Sequence, residues 1–372
     1  MPGRSQPKLG RALMKALGFA ALTLILMGFS WAWNPSVQER LDACPRSGCT
    51  VDLAPGVYEV DPLTMGRMDQ KSGGWTLKGA GAGVFSSGKE RTVCGTTLRL
   101  KSEGEALLEV VNFRHFKVLD LCLDVNGMAH GALWPRCNQP NCGGLTIENV
   151  VVGGFREGDA DSYAIRAIDD ETGPVAIEHV DLRHFEVQHI RNNQTLALPR
   201  TAIDLNLRNA DHWTVYSSAI GFSGPGCGVR VRNGNMTWIE SVIVSSADSS
   251  GNAVCLENFD DRLSIIGLIT EMQGTSGGIK ACKPDGNGGC AAGTMTVGIV
   301  GSEIKVPRGT KAIDWQAGGS LSIEGSAIGW HGGGAGRIGV SIGAWKHKKL
   351  QLSENLYRMS LVDFEFGEGV ER

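Results

Sequence analysis

The chain has 372 residues, 42% hydrophobic and 20% charged, enough apolar material to bury a core and too much to stay disordered. Glycine supplies 52 of them, about twice its usual share, which argues against a long helical bundle and for many turns and closely stacked backbone. The formal charge of −3 is uneven: Arg4, Lys8, Arg11 and Lys15 precede Trp33 with no acid among them, so the body is more acidic than the whole and nucleic acid is excluded as a partner.

Ala16 to Trp33 is an uncharged run of 18 residues behind those cations. At 1.5 Å per helical residue it reaches about 27 Å, enough to cross a hydrocarbon core. Leu22, Leu24, Ile25 and Leu26 form its apolar centre, and Trp31 and Trp33 suit a membrane interface. Residues 1–33 are therefore expected to be a signal anchor, or a signal peptide cleaved after Ser30-Trp31-Ala32. The anchored form would sit in the cytoplasmic (inner) membrane with its body in the periplasm or outside, and the cleaved form would be secreted.

Ten cysteines fit an oxidising compartment. Cys44/Cys49, Cys137/Cys142 and Cys282/Cys290 are close in sequence, and Pro or Gly interrupts each spacing. These pairs are read as loop-clamping disulfides rather than zinc ligands. Cys94, Cys122, Cys227 and Cys255 lie in or beside apolar runs and are expected in the core or stacked between turns of the chain.

Internal repeats set the fold class. The pattern apolar, any, small or turn-prone, apolar, any, apolar begins at Val118, Ile147, Ile177, Val215, Ile239, Ile265, Ile299 and Ile323, with a weaker copy at Leu352. Its third position reads Asp120, Asn149, His179, Ser217, Ser241, Gly267, Gly301 and Gly325, residue types that accept a bend or a left-handed conformation. A second ladder pairs a small residue with Ile or Val at Ile165, Ile203, Val229, Val254, Ile279, Ile313 and Val340. The ladders keep step, except where the Cys282–Cys290 loop intervenes. No such unit can bury its apolar face alone, so successive turns must stack at about 4.8 Å and share one core. The predicted fold is all-β, a single-stranded right-handed parallel β-helix over 51–355, with Ile147, Ile177 and Val215 one above another. A capping helix and linker (34–50) precede it, with Asn34 as N-cap and Pro35 at the first helical position. Residues 356–372 are expected to cap the far end.

The entry to this rod carries a family likeness. A short helix, a strand ending in Pro55-Gly56-x-Tyr58 and an apolar strand entering Gly79-Ala80-Gly81 resemble the opening of the pectate-lyase-like superfamily. That resemblance implies a sugar groove on an outer sheet face. Of the blocks of polygalacturonase-like enzymes only Asp-Asp is present, at Asp169-Asp170 and Asp260-Asp261, and Gly278-Ile279-Lys280 stands where Arg-Ile-Lys is expected.

Alternation places Arg166, Asp204, Arg230, Cys255, Lys280, Asp314 and Ser341 outward beside the second ladder, with Arg232 and Glu257 two residues further on. A lyase on an acidic sugar needs cationic neutralisation of the uronate and a base for the C5 proton. Arg230, Arg232 and Lys280 could neutralise or abstract, and Asp204 and Asp314 could hold calcium; outside that alternative no cofactor is expected. With no catalytic block complete, the main expectation is a non-catalytic, membrane-anchored accessory subunit of a larger integral membrane complex, its partners membrane lipid and other membrane-protein subunits. The alternatives are a polysaccharide lyase or related carbohydrate-active enzyme, and a surface adhesin or carbohydrate-binding protein.

Overall fold

The computed structural model describes residues 35–82, 94–139, 142–168, 177–188, 197–206, 213–232, 237–247, 250–257, 262–284, 290–291, 295–307, 309–330, 338–342, 348–353, 356–357, 362–366 and 370–371. Among them, a 21-stranded and an 11-stranded sheet wind around one apolar core. Each turn of the chain lays its strands in parallel register on the turn before. The second ladder appears as expected: Ile165, Ile203, Val229, Val254, Ile279, Ile313, Val340 and Phe364 are successive register partners. Parallel stacking pairs each strand's N–H and C=O groups with the turns above and below, so a polar backbone can surround a dry interior. The architecture is a parallel β-helix.

The first ladder holds with one correction. Val118, Ile147, Leu182, Val215, Ile239, Ile265, Ile299, Ile323 and Leu352 stack in register. Ile177 does not join them; it lies over Cys142. The reason is local. The strands Phe113–Asp124, Cys142–Gly153 and Ile177–Val187 each contain two corners, so the six-residue pattern occurs twice in one turn. His115, Gly144 and His179 form the first corner, and Asp120, Asn149 and His184 the second.

The second corner continues through the rod. Asp120, Asn149, His184, Ser217, Ser241, Gly267, Gly301 and Gly325 all have φ between +48° and +63°. Left-handed backbone costs a residue with a Cβ about 1–2 kcal/mol, which explains the Asn, Asp, His, Ser and Gly usage. A corner also breaks the regular backbone ladder. Buried hydroxyls mend it: Phe185 N donates to Ser218 Oγ (3.2 Å), Leu268 N to Ser302 Oγ (3.1 Å) and Ser302 N to Ser326 Oγ (3.1 Å).

Helix α1 (Val37–Asp42) closes the entry end. Its N-cap is Ser36 rather than Asn34, because Ser36 and Glu39 satisfy each other's backbone N–H reciprocally in a capping box. Val37 and Leu41 enter the core, and the Gln38 side chain bonds both the N–H and C=O of Thr64. Beyond residue 356, Val362–Phe366 pairs with Ile338–Ile342 and Val370–Glu371 with Lys348–Lys349, so both sheets extend almost to the chain end.

Disulfides join Cys44 to Cys49 and Cys137 to Cys142 as expected, and Cys282 is also disulfide-bonded. The side chain of its expected partner Cys290 lies outside what is described. Two further bridges, Cys94–Cys122 and Cys227–Cys255, bond cysteines expected only to be buried or stacked. Each spans 28 residues, one turn of the chain, which brings distant cysteines onto neighbouring strands. The segment Ala16–Trp33, and with it Leu22, Leu24, Ile25, Leu26 and Trp31, lies outside the described residues, as do Asp169-Asp170 and Asp260-Asp261. Among the described residues no helix is long and apolar enough to cross a membrane.

Candidate functional site

The outer face of the 11-stranded sheet carries the charged ladder that alternation predicts. Next to each inward apolar residue, Arg166, Asp204, Arg230, Cys255, Lys280, Asp314 and Ser341 follow one another in register. Asn206, Arg232 and Glu257 form the adjacent column. The sequence-predicted residues thus share one face, but they do not all converge.

Asp204, Arg230 and Arg232 come together; Lys280 and Asp314 lie further along. Asp204 is 2% exposed and sits between two guanidinium groups, Arg232 at 2.8 Å and Arg166 at 3.5 Å. Arg230 pairs with Glu257 at 3.6 Å. Asp314 accepts from Lys311 Nζ at 3.1 Å and from Gln316 Nε2 at 2.7 Å. Lys280 is exposed. Asp204 and Asp314 are four turns apart in register, about 19 Å at 4.8 Å per turn. These two carboxylates do not fit one calcium ion, and both are engaged by nitrogen donors. No group of three His, Cys, Asp or Glu able to hold a metal occurs among the described residues.

Sequence reasoning missed Tyr163. It is fully buried, its ring covers the backbone at Gly131, and the Arg166 guanidinium stacks on it at 3.9 Å. Burial pushes its phenol well above the ordinary tyrosine range, so the hydroxyl is a neutral donor at any working pH. Its signal lay in the residue just before the small-apolar pair Ala164-Ile165, a position shared with Thr201 and Cys227.

The donors of this patch outnumber its acceptors. The Tyr163 hydroxyl and the Nε atoms of Arg166, Arg230 and Arg232 are buried and make no hydrogen bond among the described residues. Arg166 and Arg230 keep their ion pairs at 3.5 and 3.6 Å, but without hydrogen-bond geometry at Nε. All four stand on strands Tyr163–Ile168 and Cys227–Arg232, which flank Thr201–Asn206. An unmade hydrogen bond at a buried donor costs roughly 1–3 kcal/mol, so these four donors are a local cost within the patch, while the outer parts of the three arginines remain 20 to 28% exposed.

No protein-family model matches the chain, and no curated protein matches it in sequence. Solved structures do. The chain is similar to tailspike gp49 of Acinetobacter baumannii bacteriophage Fri1, a capsular polysaccharide depolymerase, with TM-score 0.56 and 10% identity over 88% of this chain and 59% of that one. It is also similar to the surface protein and adhesin PfbA of Streptococcus pneumoniae, with TM-score 0.50 and 11% identity over 90% and 95% of the two chains. The A-module of mannuronan C-5 epimerase AlgE6 from Azotobacter vinelandii covers 90% of this chain and 93% of its own, at 15% identity and TM-score 0.42.

The fold is a parallel β-helix, as the opening motifs implied. The expectation of an accessory subunit in a membrane complex is overturned. The solved structures sharing the fold are named a capsular polysaccharide depolymerase and a surface adhesin, and neither is named a subunit of a membrane complex.

Proposed function

We propose that the outer face of the 11-stranded sheet binds an acidic polysaccharide, and that the protein acts on it as a polysaccharide lyase or related carbohydrate-active enzyme. One observation carries the reading: three part-exposed guanidinium groups, Arg166, Arg230 and Arg232, stand together on the two strands that flank Thr201–Asn206 on one outer face. Guanidinium groups bind carboxylates in a fixed planar geometry, and a polyuronate presents such carboxylates along its length. The ladder runs parallel to the rod axis, which suits an extended polymer rather than a compact ligand. The name of the tailspike neighbour, a capsular polysaccharide depolymerase, supports the same class of substrate.

A second reading, binding without turnover, is favoured by the engagement of Asp204 and Glu257 with arginines, which leaves neither free as a base. The test is affinity electrophoresis and calorimetry against pectate, alginate, glycosaminoglycan and a neutral glucan. Acidic polymers are expected to bind and the glucan not. Arg230→Gln removes one part-exposed guanidinium from the face and should weaken binding about tenfold, in line with one lost hydrogen bond to a charged group. Equal affinity for neutral and acidic polymers, or none for any, sinks the reading.

A further inference from the structure

A histidine held by a partly buried aspartate stands at the edge of this same face. His130 Nδ1 is 2.8 Å from Asp159 Oδ2. His130 is the second residue of the strand Ala129–Arg136, and Asp159 lies in the turn after Phe155. That turn is firmly built: Asp161 N donates to Asp159 Oδ1 (3.0 Å), and Ser162 Oγ donates to the Asp159 carbonyl (2.8 Å) while accepting from Arg200 N (2.9 Å). The Asp159 side chain is 11% exposed and that of His130 47%. A fixed, mostly buried carboxylate beside a half-exposed imidazole keeps the proton on Nδ1 and leaves Nε2 as an acceptor.

The pair opens onto space. His130, Asp159, Glu103 and Arg156 line a cavity of 160 Å³. A second, of 450 Å³, shares Arg156 and Asp159 and adds Arg200. The pair is also wired to the guanidinium ladder. Asp161, whose N–H holds Asp159, accepts from Arg166 through its carbonyl at 2.9 Å. Tyr163, on which Arg166 stacks, covers Gly131, the residue after His130.

We propose that His130, positioned by Asp159, is the general base for a uronate bound at Arg166, an inference that rests on the polysaccharide reading above. Arg166 neutralises the sugar carboxylate, which makes the C5 proton acidic. His130 Nε2 takes that proton. The released electron pair forms the C4=C5 double bond, the C4–O4 bond breaks, and O4 departs with its pair and is protonated by the imidazolium. Atoms and charge balance with no oxidant, reductant or further reactant. Arg230 and Arg232, first expected to neutralise or abstract on this face, are instead held in ion pairs by Glu257 and Asp204.

The experiment compares wild type, His130→Gln and Asp159→Asn on pectate, alginate and glycosaminoglycan, following both affinity and the ultraviolet absorbance of unsaturated product. For His130→Gln, kcat is expected to fall about 10²- to 10⁴-fold with affinity within about threefold of wild type, the mark of a group acting in proton transfer. Asp159→Asn should lower kcat about 10- to 100-fold. It should leave KM within about threefold of wild type, because the carboxylate orients the base without holding the polymer, and Asp159→Glu should restore part of the lost kcat. A merely structural role would raise KM as kcat falls. Undiminished kcat in His130→Gln overturns the base and leaves the binding reading standing, and so does a wild type that binds acidic polymer but yields no unsaturated product. A wild type that binds no acidic polymer overturns the reading beneath it.

Discussion

Asp204 faces Arg230 in strand register, yet its carboxylate bonds Arg232, two residues further along the same neighbouring strand, at 2.8 Å from each oxygen. Arg230 crosses in turn to Glu257, the register partner of Arg232. The two arginines are therefore held diagonally. Asp204, pinned between Arg166 and Arg232, fixes the guanidinium spacing that the proposed ligand would read.

Asp204→Ala should be among the most destabilising single changes on this face. It removes the shared carboxylate and takes from the part-buried Arg232 its 2.8 Å partner, while Arg166 keeps Glu105 at 3.9 Å and the Asp161 carbonyl; a loss of about 3 kcal/mol is expected. Urea unfolding of the variant beside Tyr163→Phe provides the contrast. The hydroxyl of Tyr163 has no hydrogen-bond partner among the described residues, so its deletion should leave stability unchanged or slightly raised.

The disulfides should rank by the length of chain they close. Cys227–Cys255 spans 28 residues and Cys137–Cys142 spans 5. The chain-entropy relation gives about 3.5 kcal/mol for the longer loop and about 2 kcal/mol for the shorter. Paired serine substitutions, compared by thermal unfolding, should show the larger loss for Cys227/Cys255.

The corner column allows backbone strain to be measured apart from packing. A Cβ added at Gly325 would meet nothing within 4 Å, although φ there is +56°. Gly325→Ala should therefore cost about 1 kcal/mol through conformation alone. At Ser241, with φ of +55°, the reverse substitution to glycine should gain up to a similar amount. Equal stability of all three proteins in denaturant would mean the corners relax.

Glu186 should make stability pH-dependent. Burial pushes its carboxyl above the usual range, with His184 pulling part of the way back, and the Gln188 side chain donates to it at 2.7 Å. A raised folded-state value means the proton is held more tightly in the folded protein. Its stabilising effect is complete in acid and is lost as the pH rises through that value. Glu186→Gln should match wild type below the ordinary carboxylate pKa and melt higher near neutrality. A Tm difference independent of pH would exclude this linkage.

Most of the architecture was legible along the chain, because a β-helix repeats its physics every turn. Ile165, Ile203 and Val229 announce inward positions by alternation, and Ser217, Gly267 and Gly301 announce corners by their tolerance of positive φ. Each of these needs only its neighbours in sequence and a copy of itself above and below. The error at Ile177 has the same origin: two corners in one turn offer two equivalent matches, and only stacking on Cys142 chooses between them.

What could not be read locally was every interaction that depends on how much chain lies between two turns. Asp204 meets Arg232 across 28 residues, His130 meets Asp159 across 29, and Cys94 meets Cys122 across 28. The lengths of the connections set which side chains become neighbours, and those lengths vary from turn to turn with no periodic signature. Residue type and spacing thus made the shaft, while the partners of its charges, thiols and histidine were assigned by three-dimensional closure, which weighs each pairing against all others on the same face.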